Sequence, residues 1–229
     1  MKLAALFSGG KDSTYAIYLA KKLGHTVDVL LTLYPHSDES HLLHFPNIAF
    51  THLQAESMKI PQLIEKTTSN DSKNESEKLN SLITLAKENY AIEGIVHGGI
   101  MSEYQKDNFS LVCKKHQLKI ISPLWKKEPK SYMRELLDEN FKFIISTVSS
   151  DGLNDSWLGR TLDENDLIEL QKLQTIFSFN LNFEGGEAET FVLNCPLFEK
   201  PLLIQDSTTE WDGYRGRFEI LEAKLKDNA

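Results

Sequence analysis

Residues 8–13, Ser-Gly-Gly-Lys-Asp-Ser, have the types and the spacing that bind a phosphate group. The two glycines let backbone N–H groups approach an anion, Lys11 adds a full positive charge, and Ser8 and Ser13 add hydroxyl donors. If a strand ends before this run and a helix begins in it, the positive end of the helix dipole faces the same anion. The sequence therefore predicts a phosphate-binding loop, hereafter the phosphate loop. The alternative is a Gly-Gly turn between a strand and a helix with a serine cap.

The phosphate loop does not match a Walker A loop. That motif would require Gly at position 5 and Ser or Thr at position 12, where this chain has Ala5 and Asp12. The sequence thus predicts a phosphate loop of a different class.

Two later segments carry charged and aromatic residues among glycines. They are the first glycine-rich segment, residues 152–160, and the second glycine-rich segment, residues 184–190. Charged and aromatic side chains in such loop-like runs serve binding more often than packing. For the second segment, the alternative is an acidic hairpin turn without a binding role.

Strands and helices must alternate to position these residues. Lys2–Phe7 is apolar on both faces, as a central parallel strand is, and residues 11–24 carry a helical apolar stripe. Further strands are predicted at 26–34, 60–65, 92–96, 118–121 and 141–148, and helices at 50–59, 103–116 and 130–139. Residues 36–46 and 67–76 are predicted as loops, the second of them exposed and mobile. The alternation predicts an α/β fold with a parallel, doubly wound sheet.

Ligands of such sheets bind at the carboxyl ends of the strands. Gly98 and Gly99 follow the predicted strand 92–96, so they should lie at the same sheet edge as the phosphate loop, where a nucleotide can rest against backbone. A purely structural turn is the alternative. After about residue 150 the pattern changes to a helical run at 163–179 and short strands at 190–194, 201–205 and 214–222. We therefore predict an α/β domain over 1–150, which contains the phosphate loop, and a smaller α+β subdomain over 151–229.

Composition narrows the function classes. The chain has 229 residues, is 41% hydrophobic and carries a net charge of −8, which argues against nucleic acid as a partner. No apolar stretch is long enough to span a membrane, and no signal peptide is evident, so we expect a cytoplasmic protein without a membrane partner. Two cysteines form neither a disulfide framework nor a zinc site, and the irregularly spaced histidines near His44 predict no metal centre.

The phosphate loop resembles the SGGxDS signature of the PP-loop, N-type ATP pyrophosphatases, whose sheet is of the HUP, or adenine nucleotide alpha-hydrolase-like, type. The resemblance implies a loop that holds the β- and γ-phosphates of ATP, and cleavage to AMP and pyrophosphate. Both glycine-rich segments resemble signatures of the diphthine–ammonia ligase family, and His97–Gln105 resembles its Gly-x-x-x-Ser-x-Tyr-Gln segment. Pro123–Trp125 and Phe45–Asn47 after His44 also fit, in a form similar to the short archaeal members. Asn108 departs from the arginine that many members carry.

This resemblance implies ATP-dependent amidation of diphthine on elongation factor 2 with ammonium, through an acyl-adenylate, with ATP and Mg²⁺ as cofactors. The implied catalytic residues are Lys11, Asp12, Arg160 and Glu187. Those implied for the nucleotide are Ser8, Gly9, Gly10, Lys11, Asp12, Ser13, Gly98 and Gly99. Those implied for the substrate are His44, Ser102, Tyr104, Gln105, Asp155, Trp157, Glu184, Glu189 and Thr190.

The sequence assigns some of these roles only as alternatives. Asp12 serves either the loop's geometry or the metal, and Arg160 faces either the α-phosphate or the substrate carboxylate. Glu187 or Glu189 attracts the cationic diphthine head or ammonium, with Trp157 adding cation–π attraction. Three other functions stay open: a PP-loop ligase of a small metabolite, a tRNA-modifying PP-loop enzyme, and a nonenzymatic nucleotide-binding module.

Overall fold

The computed structural model describes residues 1–34, 47–69, 72–100, 109 and 111–227. Its strands are β1 (Lys2–Leu6), β2 (Thr26–Tyr34), β3 (Gln62–Lys66), β4 (Gly94–Val96), β5 (Lys119–Ile121), β6 (Lys142–Val148), β7 (Ala188–Asn194), β8 (Leu202–Trp211) and β9 (Gly216–Leu225). Its helices are α1 (Lys11–Lys22), α2 (Thr51–Met58), α3 (Ser72–Tyr90), α4 (Pro129–Asp138) and α5 (Glu164–Phe177), with short 3₁₀ turns at Ile48–Phe50 and Asp155–Trp157. Residues 111–115 are helical as well. Within the described part of the chain, no helix combines the length and apolar character that crossing a bilayer requires.

The first sheet is parallel and confirms the predicted α/β class. Its strand order is β3-β2-β1-β4-β5, so the direction of the connections reverses between β1 and β4. Alternate residues of β1 face opposite layers. Leu3 and Ala5 pack with α1, whereas Ala4 packs with α3 on the other face. The phosphate loop follows β1 and the Gly98-Gly99 turn follows β4, so both lie at this reversal point, where such sheets bind ligands.

The second sheet is antiparallel, with the order β7-β6-β9-β8. The expectation that strand 141–148 continues the parallel alternation is wrong, because β6 pairs with β7 and β9. The strand is buried on both faces, with Ile144 in one apolar cluster and Phe143 and Ile145 in another. An apolar run of this kind does not reveal which sheet contains it. β6 therefore lies before residue 150, where we predict the domain division, and yet pairs with strands beyond it.

The loop predicted at 67–76 also needs correction. Helix α3 begins at Ser72, and the side chain of Asn74 accepts a hydrogen bond from Thr68 N at 2.9 Å. Glu75 is buried. The first turn of α3 needs no apolar residue of its own, because the packing of Leu79 and Leu82 against the sheet stabilises the helix.

The largest apolar core connects the two sheets. Ile17 of α1 and Phe143 of β6 belong to one buried cluster, together with Trp157 and Val192. The second sheet thus packs against the face of the first sheet that α1 covers. This contact brings the C-terminal half of the chain to the phosphate loop.

Candidate active site

The phosphate loop turns directly from β1 into α1. Gly9 has φ 81°, and a Cβ there would lie only 2.5 Å from Gln54 Oε1, so the turn requires glycine. Ser8 Oγ and Ser13 Oγ lie 3.2 Å apart across the turn. The residue that caps α1 is Gly10, without a side-chain hydrogen bond, so the serine-capped turn does not describe this loop.

The Lys11 side chain is held in a buried slot. Only 2% of the residue is exposed, and Nζ donates to Asp12 Oδ2 at 3.0 Å. Nζ also lies 5.5 Å from the ring centre of Phe183 and 5.9 Å from that of Tyr132. The other Asp12 oxygen, Oδ1, accepts from the Tyr132 hydroxyl at 2.6 Å. Lys11 is therefore a cation with one carboxylate partner and two aromatic neighbours, and its charge is little screened by water.

Strand β7 of the second sheet lies against the phosphate loop and is hydrogen-bonded to it. Lys11 N donates to Thr190 Oγ1 at 3.1 Å, and Val192 N donates to Gly9 O at 2.9 Å. The buried amide of Gln54 donates from Nε2 to both Gly9 O, at 3.0 Å, and Val192 O, at 2.7 Å. The loop thus has backbone and side-chain partners on β7 as well as on α2.

The Gly98-Gly99 turn lies against the start of α1. A Cβ at position 98 would come within 2.5 Å of the Asp12 carbonyl carbon, so only glycine allows the two backbones to pack this closely. Buried His97 orients the turn, since its Nδ1 accepts from Gly99 N at 3.1 Å. A neutral ring then carries its proton on Nε2, which donates to Ser122 Oγ at 2.6 Å.

These elements surround one cleft of about 510 Å³. The polar part of the lining comes from the phosphate loop except Gly9, from residues 97–99, and from residues 184–190 except Glu187 and Ala188. The apolar part consists of Leu6, Phe7, Leu31, Leu33, Ile48, Leu79, Phe109, Phe183 and Ala188. Both the volume and the division into a polar and an apolar part suit a nucleotide-sized ligand.

The second glycine-rich segment brings two of its three glutamates to this cleft. Glu184 and Glu189 line the cleft, and Glu184 Oε1 accepts from Ile100 N at 3.2 Å. Glu187 does not line it. Its two carboxylate oxygens accept from Asn180 N and Gly185 N, each at 2.8 Å, and so close the turn that precedes β7. This placement favours a structural role for Glu187, and its catalytic role stays a prediction.

The first glycine-rich segment lies away from the cleft. Trp157 is 2% exposed and belongs to the main core, while Arg160 pairs with Asp166 and lies 3.7 Å from a Glu169 oxygen. The guanidinium carbon stacks 4.7 Å from the Trp157 ring centre, and Asp155 is exposed in a 3₁₀ turn. None of these side chains contributes to the cleft lining. This placement favours a packing role for Trp157 and Arg160, and the substrate and phosphate roles expected for Trp157, Arg160 and Asp155 stay predictions.

Several expected substrate contacts lie outside the described residues. They are His44, Ser102, Tyr104 and Gln105, and the variant position Asn108 lies there too. Sequence reasoning missed Tyr132 and Gln54, both of which contact the phosphate loop or its neighbours. Each has an ordinary position in a helix, and no local signal distinguishes it from a packing residue.

The described part of the cleft suits a metal that arrives with a nucleotide better than a resident metal. The described residues contain no group of three or more His, Cys, Asp or Glu side chains that could hold an ion. The carboxylates of Asp12, Glu184 and Glu189 nevertheless line the cleft. Mg²⁺ bound mainly by phosphate oxygens and water needs only one or two carboxylates, which this set supplies.

Comparisons with known proteins identify relatives over nearly the whole chain. Residues 1–120 match the family model described as the diphthamide synthase N-terminal domain, and residues 128–225 match that of the diphthamide synthase C-terminal domain. The human diphthine–ammonia ligase is 35% identical over 228 residues, which cover 90% of this chain and 84% of the human protein. The zebrafish (Danio rerio) ligase is 31% identical over 226 residues, which cover 91% of this chain and 88% of that protein.

Two further similar proteins differ in how much of their own length the match covers. The diphthine–ammonia ligase of Schizosaccharomyces pombe is 32% identical over 223 residues, which cover 90% of this chain but only 36% of the yeast protein. A solved structure, titled as a predicted subunit of tRNA methyltransferase from Methanocaldococcus jannaschii, has 16% identity and a TM-score of 0.38. It covers 99% of this chain and 98% of its own, and at that score it carries no argument about function.

Proposed function

The chain belongs to the diphthamide synthase family, and on that premise we propose that it is a diphthine–ammonia ligase, which uses ATP to convert diphthine and ammonia into diphthamide. The observation that supports this most directly is the shared cleft. Lys11, which suits a polyphosphate, and Glu184, which suits a cation, line the same 510 Å³ space. A nucleotide and the trimethylammonium group of diphthine can therefore be bound side by side.

We assign the two ends of the cleft to the two parts of ATP. Lys11 and the N–H groups at the start of α1 bind the phosphates, because burial strengthens their attraction for negative charge. The apolar lining around Leu33, Ile48 and Leu79 receives the adenine ring. Mg²⁺ bound with ATP would neutralise phosphate charge, and the Asp12 carboxylate, which lines the cleft within the phosphate loop, would help to hold it.

The reaction then proceeds in two balanced steps. A diphthine carboxylate oxygen attacks the α-phosphorus, and the bond from that phosphorus to the bridging oxygen breaks, so that pyrophosphate leaves with its charge stabilised by Lys11. Ammonia next attacks the acyl carbon, the bond from carbon to the AMP oxygen breaks, and the amide forms with loss of a proton. The enzyme contributes mainly position and electrostatics, since adenylation itself replaces oxide with a good leaving group.

Elongation factor 2 is the protein that we propose carries the diphthine. Its acceptor side chain would enter beside Glu184 and Glu189, whose negative charges attract a quaternary ammonium group. The cytoplasmic location expected from the sequence stays a prediction.

The rival functions receive less support from the described residues. A thiolating enzyme needs a reactive cysteine, but burial raises the pKa of Cys113 to about 11 and that of Cys195 to about 12. An RNA-binding enzyme needs a basic surface, whereas this chain carries a net charge of −8. A small-metabolite ligase would use the same cleft, and the choice of acceptor in the assay separates it from the proposed function.

The decisive experiment supplies ATP, ammonium and diphthine-bearing elongation factor 2, and follows both products. Mass analysis of the factor should show conversion of the carboxylate to the amide, and chromatography should show AMP and pyrophosphate in equal amounts. Each product should disappear when ATP is omitted, and the amide should disappear without ammonium. ADP as the main nucleotide product, or an unmodified factor, would contradict the proposal.

A further inference from the structure

Tyr132 in α4 contacts the phosphate loop but lies outside every segment that carries an expected site residue. We infer that Tyr132 is a positioning residue, whose hydroxyl holds Asp12 so that Asp12 in turn holds the Lys11 ammonium toward the phosphates. This inference rests on the proposed function, because it assigns Lys11 to the leaving pyrophosphate.

The contacts form an unbroken chain of three side chains. The Tyr132 hydroxyl donates to Asp12 Oδ1 at 2.6 Å, and Asp12 Oδ2 accepts from Lys11 Nζ at 3.0 Å. Both carboxylate oxygens are thereby occupied, which fixes the rotation of the carboxylate. The two donors Tyr132 and Lys11 are 0% and 2% exposed, so neither has water as an alternative partner, whereas the Asp12 side chain is 28% exposed and faces the cleft.

The Tyr132 ring also contacts the Lys11 ammonium group directly. Its ring centre lies 5.9 Å from Nζ, and the Phe183 ring centre lies 5.5 Å from Nζ. These are cation–π distances for an ammonium group. Tyr132 thus acts on Lys11 both through Asp12 and through its own ring, without lining the cleft itself.

The chemistry of the phenol suits a fixed donor. Burial, and then the nearby Asp12 carboxylate, raise the pKa of Tyr132 well above its ordinary value. The hydroxyl therefore keeps its proton across the working pH range and always donates. Acid–base catalysis by this group is correspondingly unsuited to neutral pH, which agrees with a positioning role.

A purely structural role is the competing explanation, since any buried tyrosine hydroxyl needs an acceptor. Tyr15 supplies a matched control for it. Tyr15 is 2% exposed, its ring centre is 5.8 Å from that of Tyr132, and its hydroxyl donates at 3.1 Å to Glu135 instead of to the loop. Removing either hydroxyl makes the same change in the same aromatic cluster, but only one change affects Asp12.

The experiment compares Tyr132→Phe with Tyr15→Phe in steady-state assays of AMP formation with diphthine-bearing factor, at a temperature where both are folded. Tyr132→Phe should lower kcat about tenfold or more while KM for ATP changes less than about threefold, because the pyrophosphate charge that Lys11 stabilises develops in the transition state. Tyr15→Phe should keep kcat within about twofold of the wild type, since its hydroxyl does not contact the loop. A Tyr132→Phe enzyme with wild-type kcat, or equal losses in both variants, would overturn the inference.

Two further measurements keep the inference testable in any case. If Tyr132→Phe does not fold, Asp12→Asn preserves an acceptor for the phenol but replaces one carboxylate oxygen by an amide, and it should show the same kcat loss; unchanged kcat overturns the inference. The ammonium nitrogen resonance of Lys11, assigned by its loss in Lys11→Met, requires no turnover. This resonance should shift or broaden in Tyr132→Phe and should be unchanged in Tyr15→Phe. An unaltered resonance in Tyr132→Phe contradicts the inference. If the wild-type protein makes no amide, the proposed function is refuted, but the Lys11 resonance still tests whether Tyr132 positions Lys11.

Discussion

The two glycine-rich segments of the C-terminal half look alike in sequence and differ in what they contact. Both combine two glycines with charged residues within a short run. The second segment leads into β7 and lines the cleft with Glu184 and Glu189, whereas the first segment buries Trp157 in the core and pairs Arg160 with Asp166. The difference arises from where the neighbouring strands run, because β7 passes the phosphate loop and residues 152–160 do not.

The comparison teaches that residue types identify a functional segment only together with its neighbours. An arginine stacked on a tryptophan can bind a ligand or can cover a core. Here Arg160 covers the core, since Trp157 beneath it is 2% exposed and its ion-pair partner Asp166 is buried as well. The following predictions test this division, from the largest expected effect on amidation to the smallest.

Lys11→Met should give the largest loss of kcat, with which the losses in the other cleft variants can be compared. Removing a buried charge that we propose faces the leaving pyrophosphate should raise the barrier by about 2–4 kcal/mol, so kcat should fall about a hundredfold or more. The variant should remain folded, because methionine fills a similar volume. AMP formation and thermal unfolding should be measured, with exposed Lys21→Met as the control; normal turnover in Lys11→Met would remove Lys11 from the mechanism.

Glu184→Gln should give the next largest loss. It keeps the oxygen that accepts from Ile100 N but removes the negative charge that we assign to the cationic substrate, at a cost of about 2 kcal/mol, or about thirtyfold in kcat/KM for the factor. Calorimetric ATP affinity should change little.

Glu187→Gln is the matched comparison on the same turn. One of its two carboxylate oxygens, each of which accepts from a backbone N–H, is replaced by an NH₂ group. The change should therefore reduce the free energy of unfolding by about 1 kcal/mol and leave amidation within about threefold. A larger amidation defect in Glu187→Gln than in Glu184→Gln would exchange the roles of the two glutamates.

Thr190→Val should give a moderate effect confined to ATP. The valine is isosteric but leaves Lys11 N without the hydroxyl acceptor at 3.1 Å, so KM for ATP should rise about fivefold, equivalent to about 1 kcal/mol. Thr190→Ser retains the hydroxyl and should restore the wild-type value. An unchanged KM in Thr190→Val would show that β7 is not needed to hold the loop.

Arg160→Ala should have the smallest effect on amidation, within about twofold, and should act on stability instead. Removing the partner of buried Asp166 should lower the free energy of unfolding by about 2 kcal/mol, a value reduced by the partial exposure of Arg160. Arg134→Ala breaks a surface pair at 3.0 Å and should cost less than about 1 kcal/mol. Abolished amidation in folded Arg160→Ala would return the first segment to the active site.

The sequence predicted those features that local pattern determines. The phosphate loop follows from six adjacent residues, and the parallel sheet follows from the alternation of apolar strands and striped helices. The pairing of β6 could not be predicted, because an apolar run buried on both faces fits either sheet. Glu184 and Glu187 have the same chemistry three positions apart, and only the turn that folds Glu187 back onto two backbone N–H groups separates them. Tyr132 gave no signal, since its contact with Asp12 spans 120 residues.

The hydrogen bonds from β7 to the phosphate loop also constrain when the protein can become active during its synthesis. Lys11 and Thr190 are separated by 179 residues, so the strands of the first sheet are synthesised long before the residue that completes the loop's wall. Contacts between residues so far apart form late, because closing a long stretch of chain costs entropy that only docking of the finished second sheet offsets. A ribosome-bound chain that has been synthesised only as far as β5 therefore contains Lys11 but not Thr190 and the rest of β7, which hold the phosphate loop. The capacity to cleave ATP should appear only together with the glutamates that receive the second substrate, so an incomplete chain does not consume nucleotide without an acceptor.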